Sequence, residues 1–138
     1  MRRLVPATVA LLAIALGGCS STSATGPEPN PNIFPARYQN EIITSLTTTL
    51  DDPTLIRQAV ISDPVLRPAG KEQRYAVCMR FDSRDQQKRY TGLKERIAYF
   101  YAGHLNQLVE TTSPEQCAGV VYKPWPELEK YCLAKNCT

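Results

Sequence analysis

"RYAVCMRF", residues 74–81, decides the fold. Tyr75, Val77, Met79 and Phe81 alternate with Ala76, Cys78 and Arg80, the period-2 pattern of a β-strand with one continuous apolar face. Downstream, Ile97–Tyr101 and His104–Val109 flank Ala102-Gly103, the two-residue spacing of a hairpin, although alanine is a poor residue for such a turn. Upstream, "LIRQAVISDPVLRP" from Leu55 is β-rich and interrupted by Pro64, which suits an edge strand better than a central one. "AGKEQ" then turns the chain into the 74–81 strand. These segments predict an antiparallel meander of about four strands.

A sheet with one apolar face needs a covering layer. Pro35 opens a segment in which Tyr38, Ile42, Leu46 and Leu50 recur every four residues beside Ile43, one face of an amphipathic helix. Thr47–Thr49 are weak helix formers and mark a fraying end. Asp51-Asp52-Pro53 reads as a stop followed by a short helical turn, capped by aspartate. Near the C-terminus, Ser113-Pro114 and Trp125-Pro126 both carry a first-position proline, and Glu127 and Glu129 suit the exposed N–H groups of a first turn. Leu128, Tyr131 and Cys132 share the face expected to dock on the sheet. The fold class is therefore α+β: an N-terminal helix packed on a meander, with a short C-terminal helix.

Residues 1–18 stand apart from this domain. Arg2 and Arg3 precede an apolar run from Leu4 to Leu16, too short to span a bilayer and typical of a secretory signal peptide. Leu16-Gly17-Gly18-Cys19 resembles the lipobox of bacterial lipoproteins. The resemblance implies that Cys19 carries a diacylglycerol thioether and becomes the acylated first residue of the mature chain. More than one acyl chain gives stable anchoring. Ser20 stands where an aspartate retains enteric members of that family at the inner membrane, so the expected location is the outer membrane, facing the periplasm. Residues 19–32 form a lipidated tether: "SSTSATGPEPNPN" is small, polar and proline-punctuated, with an extended reach of roughly 40 Å. Residues 33–138 make a single domain.

Loss of residues 1–18 removes Arg2 and Arg3 from 16 basic residues and none of 13 acidic ones, leaving a nearly neutral chain. That argues against nucleic acid, whose phosphates require an excess of Lys and Arg. Cys78, Cys117, Cys132 and Cys137 remain after Cys19. In an oxidising compartment they read as two disulfides, for which three pairings are open. Sequence separation favours Cys132 with Cys137 and Cys78 with Cys117. The shorter pairing requires the last helix to end before Cys137, since residues five apart point about 140° away from each other on a helix. No metal-ligand spacing occurs, no cofactor motif is present, and His104, the one histidine, has no identifiable catalytic partners. The chain is therefore expected not to be an enzyme.

Two segments carry surface chemistry. "DSRDQQKRYTGLKER", residues 82–96, reads as a charged connection between strands in which Arg84, Lys88, Arg89 and Tyr90 could meet an anionic envelope component. "VVYKPWPELEKY", residues 120–131, carries Tyr122 and Trp125, residue types that anchor interfaces, although Trp125 is also the natural cover for a sheet edge. "RYAVCMRF", "CAGVVY" and "PWPELEK", behind the lipobox and tether, are together similar to a group of small alphaproteobacterial lipoproteins without an established activity. That likeness spans most of residues 35–131. The expectation is a membrane-anchored envelope lipoprotein acting as a binding, assembly or inhibitory module toward an envelope protein or glycan. The alternative is a periplasmic glycan- or lipid-binding or sensing domain, whose sign would be a cavity lined by Tyr75, Phe81, Tyr99 and Tyr101.

Overall fold

The computed structural model describes residues 26–135, with side-chain surroundings up to Cys132. The segment expected to be a signal peptide, Cys19 expected to be lipidated, most of the expected tether before Gly26, and Cys137 lie outside the described residues. Helix α1 (Tyr38–Thr49) is followed by β1 (Asp52–Ser62), β2 (Val65–Ala69), β3 (Glu72–Arg84), β4 (Tyr90–Tyr101) and β5 (His104–Glu110). A 3-10 turn (Pro114–Cys117), β6 (Tyr122–Pro124) and helix α2 (Pro126–Lys135) complete the described residues. The architecture is α+β, with one antiparallel sheet of six strands rather than four. Among the described residues the first helix begins at Tyr38, in the interior of the sequence rather than at its N-terminus.

The strand at 74–81 is the centre of the sheet. β3 pairs with β4 on one side and with both β1 and β2 on the other, giving the order β5-β4-β3-β1-β6 with β2 continuing beside β3. Both of its faces are covered. Val77, Met79 and Phe81 pack with Ile42, Ile43 and Leu46 of α1 and with Leu128 and Trp125 at α2. Ala76 and Cys78 pack on the opposite side with Ile97 and Cys117. The segment carrying the 3-10 turn covers this second face, and the Cys78–Cys117 disulfide fastens it there. Cys132 is also disulfide-bonded.

Two expectations about the first half of the domain are corrected. Asp51-Asp52-Pro53 does not start a helical turn. Asp52 is the first residue of β1, almost fully buried, and its carboxylate accepts the Thr54 N–H at 3.0 Å. The edge-strand expectation for the segment from Leu55 holds only in part: β1 is flanked by β3 and β6, whereas β2, after Pro64, pairs with β3 alone. Pro64 lies in the bend between β1 and β2, where no ladder hydrogen bond is required of it. Leu55 and Gln58, at φ 53° and 56°, bulge β1 out of register with β3 and erase the alternation that would have marked it as a long strand.

Elsewhere the local signals agree with the fold. Ala102 and Gly103 take φ 49° and 82° and close the β4–β5 hairpin with Tyr101 opposite His104. Positive φ at both central residues is the type I′ geometry, which forces Ala102 into the left-handed region. In α1, the hydroxyls of Thr44, Thr47, Thr48 and Thr49 each donate to a carbonyl three or four residues earlier, so the threonines continue the helix to Thr49. Glu129 does more than favour the start of its helix: it accepts the Ala59 N–H at 2.8 Å, while the Trp125 N–H donates to the Ala59 carbonyl at 2.8 Å. The bulge in β1 thus becomes the anchor of α2.

Candidate functional site

Residues 82–96 are not a long connection. β3 runs to Arg84 and β4 starts at Tyr90, so only Asp85–Arg89 join them. Asp85 organises this turn by accepting the N–H groups of Gln87 and Arg89 at 2.9 and 3.0 Å, with Lys88 at φ 62°. Those bonds, with the Arg89 guanidinium, hold the Asp85 carboxyl below the usual carboxylate range. The cations expected to face a partner are largely occupied at home. Arg84 and Lys88 both pair with Asp52, at 2.7 and 3.2 Å, and Arg89 pairs with Asp85 at 3.0 Å. Tyr90 donates to the Leu55 carbonyl at 2.8 Å and lies under the Arg57 guanidinium, which in turn pairs with the buried Asp82 at 2.8 Å.

Tyr122 and Trp125 separate. Trp125 is 1 % exposed and belongs to the core, so it presents no surface to a partner. Its backbone N–H, bonded to the Ala59 carbonyl, holds the residue against β1. Tyr122 packs at the margin of the second-face cluster, where its hydroxyl donates to Glu95 at 2.6 Å and its ring lies under Arg80. Burial first, then the Glu95 carboxylate, pushes the Tyr122 hydroxyl up to about 12.

The tyrosine-lined cavity between helix and sheet does not form. Phe81 is fully buried beneath α1, and Tyr75 packs on the same core with Phe34 against its edge at 5.4 Å. Tyr99 lies with the opposite cluster, and Tyr101 meets Arg74. Strand alternation sends these rings to different places. His104 stands exposed, its Nδ1 3.2 Å from Glu41, whose other oxygen accepts the Leu105 N–H at 2.7 Å. This is α1 covering the free edge of β5, a structural use of the pair. Among the described residues no cluster of three His, Cys, Asp or Glu could hold a metal ion, and no helix is long and apolar enough to cross a membrane.

What the sequence did not reveal is an opening at the other side of the sheet. β6 pairs with β1 only at Val60–Ser62. Beyond Ser62 the Asp63-Pro64 bend carries β2 away from the chain leading into β6. A groove of about 530 Å³ separates Val65, Leu66 and Pro68 from Gly119–Val121. Its rim is apolar and exposed: Val65 is 40 %, Leu66 46 % and Val121 84 % accessible. Gly70, at φ 66° in the first central position, makes the β2–β3 turn a two-residue hairpin closed by Ala69 and Glu72. Alternation from that closing pair leaves the N–H and C=O of Leu66 facing away from β3 into the groove. Arg67 spans it at one point, donating to the Ala118 carbonyl.

Comparison with protein-family models, with curated proteins and with solved structures finds no significant match to this chain.

Proposed function

We propose that this protein is a lipid-anchored envelope lipoprotein, held through Cys19 at the outer membrane facing the periplasm, whose domain binds a partner protein and catalyses no reaction. The observation that carries the binding role is the groove between β2 and Gly119–Val121. An exposed strand edge with an unpaired backbone N–H and C=O, bordered by Val65, Leu66 and Val121, suits an extended segment of another protein. Main-chain hydrogen bonds to Leu66 would supply affinity, and apolar side chains at alternate positions would meet the valines and leucine. The Cys78–Cys117 staple supports this use, because it fixes the segment that forms the far wall.

The mature N-terminal tether supports the anchored arrangement: Gly26–Asn32 leads to a domain that starts where the Pro31 carbonyl accepts the Ala102 N–H at 3.0 Å. Anchoring and binding are tested separately. Cys19→Ser should move the protein from membrane to soluble fractions, and unchanged partitioning would refute the anchor. Leu66→Asp should abolish recovery of the partner from detergent-solubilised envelope while leaving the protein membrane-bound. Recovery of the same partner in undiminished yield would refute the groove.

A further inference from the structure

The chain enters the domain at one pole of the sheet. Residues 26–30 are exposed, and the Pro31 carbonyl then accepts the Ala102 N–H at 3.0 Å, at the tip of the β4–β5 hairpin. Ile33 and Phe34 follow, both apolar and both about half exposed, at 48 and 53 %. They are nonetheless fixed in place. Ile33 packs against Gly103, the Phe34 ring stands edge-on to Tyr75 at 5.4 Å, and the Phe34 carbonyl accepts the Ala36 N–H at 3.0 Å. Pro35, the next residue, is fully buried. An apolar pair held outward in this way has little conformational entropy left to lose on entering another apolar phase.

The neighbours of the pair are aromatic and cationic. Tyr75 and Tyr101 are partly buried at the same end of the sheet, Tyr101 under the Arg74 guanidinium. Arg37, which precedes α1, and Lys71, in the β2–β3 turn, are exposed and form no ion pair with the described residues. Glu41 and Glu72, the acids nearest to them, are taken by the Leu105 N–H and by Arg74. Tyrosine rings and long cationic side chains around an apolar centre suit a boundary between lipid headgroups and acyl chains.

We propose that this pole docks on the phospholipid bilayer, with Ile33 and Phe34 entering the headgroup boundary and Arg37 and Lys71 reaching lipid phosphates. The inference rests on the anchor at Cys19 proposed above. The stretch from Cys19 to Pro31 extends to roughly 40 Å, so it holds this pole nearer the membrane than the opposite end of the sheet. Tethering makes docking intramolecular, and the resulting effective concentration lets a patch of two apolar residues hold where it would be too weak alone.

The test uses tryptophan as a depth probe in the lipidated protein, reconstituted in vesicles of phosphatidylethanolamine and phosphatidylglycerol with brominated acyl chains that quench indole fluorescence on contact. Trp125 is buried in the core and supplies a constant background. Phe34→Trp should emit further to the blue and be quenched, most by bromines close to the headgroups. Leu93→Trp, near the other end of β4, should escape quenching. Adding Ile33→Asp to Phe34→Trp should lower the ratio of docked to undocked molecules roughly tenfold, the worth of transferring the exposed half of an isoleucine side chain. Ile33→Trp repeats the measurement with the Phe34–Tyr75 contact intact. Flotation of the same vesicles separates the two claims. Protein that fails to float refutes the anchor and the docked pole with it. Protein that floats, with Phe34→Trp and Ile33→Trp quenched no more than Leu93→Trp, overturns the docked pole alone.

Discussion

Replacing both Cys78 and Cys117 with alanine isolates the staple from the rest of the fold. Their separation of 39 residues puts the second half of β3, all of β4 and β5 and the covering segment inside one covalent loop. The loop-entropy relation gives about 4 kcal/mol for a closure of this length. The two sulfurs lie in a small second-face cluster with Ala76 and Ile97, so loss of their apolar contacts adds little beside that figure. For a domain of this size the expected fall in melting temperature is about 15 °C. Urea denaturation followed by circular dichroism measures the loss directly, with the Cys132 bond left intact by avoiding reductant. The slope of free energy against urea should also rise, since an uncrosslinked unfolded chain exposes more surface. Hydrogen exchange should show Thr111–Val121 losing protection first, because the staple and a few apolar contacts hold that segment to the sheet. A loss below about 1 kcal/mol would refute the reasoning, and so would uniform loss of protection across β3 and the covering segment.

The Asp52 carboxyl gives a dependence on pH. Burial alone would raise its pKa, but the Thr54 hydroxyl and N–H, then Lys88 and Arg84, outweigh it and hold the group at about 2 against an ordinary 3.8. A folded-state pKa below the unfolded one contributes stability that is present above about pH 4 and is lost as pH falls toward 2. The shift sets an upper bound of about 2 kcal/mol, and solvent around the exposed Lys88 brings it nearer 1. Asp52→Asn should therefore be destabilised at pH 7 and match the wild type near pH 2; parallel stability curves across that range would show no coupling. Trp125→Ala should cost about 3–5 kcal/mol in chemical denaturation. Trp125→Phe should cost much less, because the indole N–H makes no hydrogen bond among the described residues. Gly103→Ala should cost about 1 kcal/mol, read as a lowered melting temperature, since φ is 82° and the new methyl would sit 3.2 Å from Ile33. No change there would mean that the hairpin relaxes around the methyl.

The parts of the fold that were legible in the sequence are those written in local periodicity. The Tyr75–Phe81 alternation, the four-residue spacing of α1, the Ala102-Gly103 turn and the proline starts near residues 114 and 126 all found their elements. β1 was misread for a local reason: Asp51-Asp52-Pro53 has the chemistry of a helix cap, and only the distant Arg84 and Lys88 make a buried strand start of it. Residues 82–96 read as a solvated connection because a run of charges along the chain does not reveal its partners on other strands. Across strands they meet partners, Arg57 with Asp82 and Arg80 with Glu95, at 2.8 Å in both cases. The charge pattern of a loop and that of a cross-strand ladder are the same in one dimension. The groove beside β2 was invisible for a related cause. It arises where a bend at Asp63-Pro64 parts two segments more than fifty residues apart, and nothing in either segment alone signals a gap.

The binding role is most directly tested by a photoreactive amino acid placed at Val121 in intact cells, with Leu93, 57 % exposed on β4, as the control position. The account predicts a crosslink to one envelope protein from Val121, absent from Leu93, and lost when Leu66→Pro removes the outward N–H of β2. A Val121 adduct that persists with Leu66→Pro, or no adduct beyond that seen at Leu93, would contradict it.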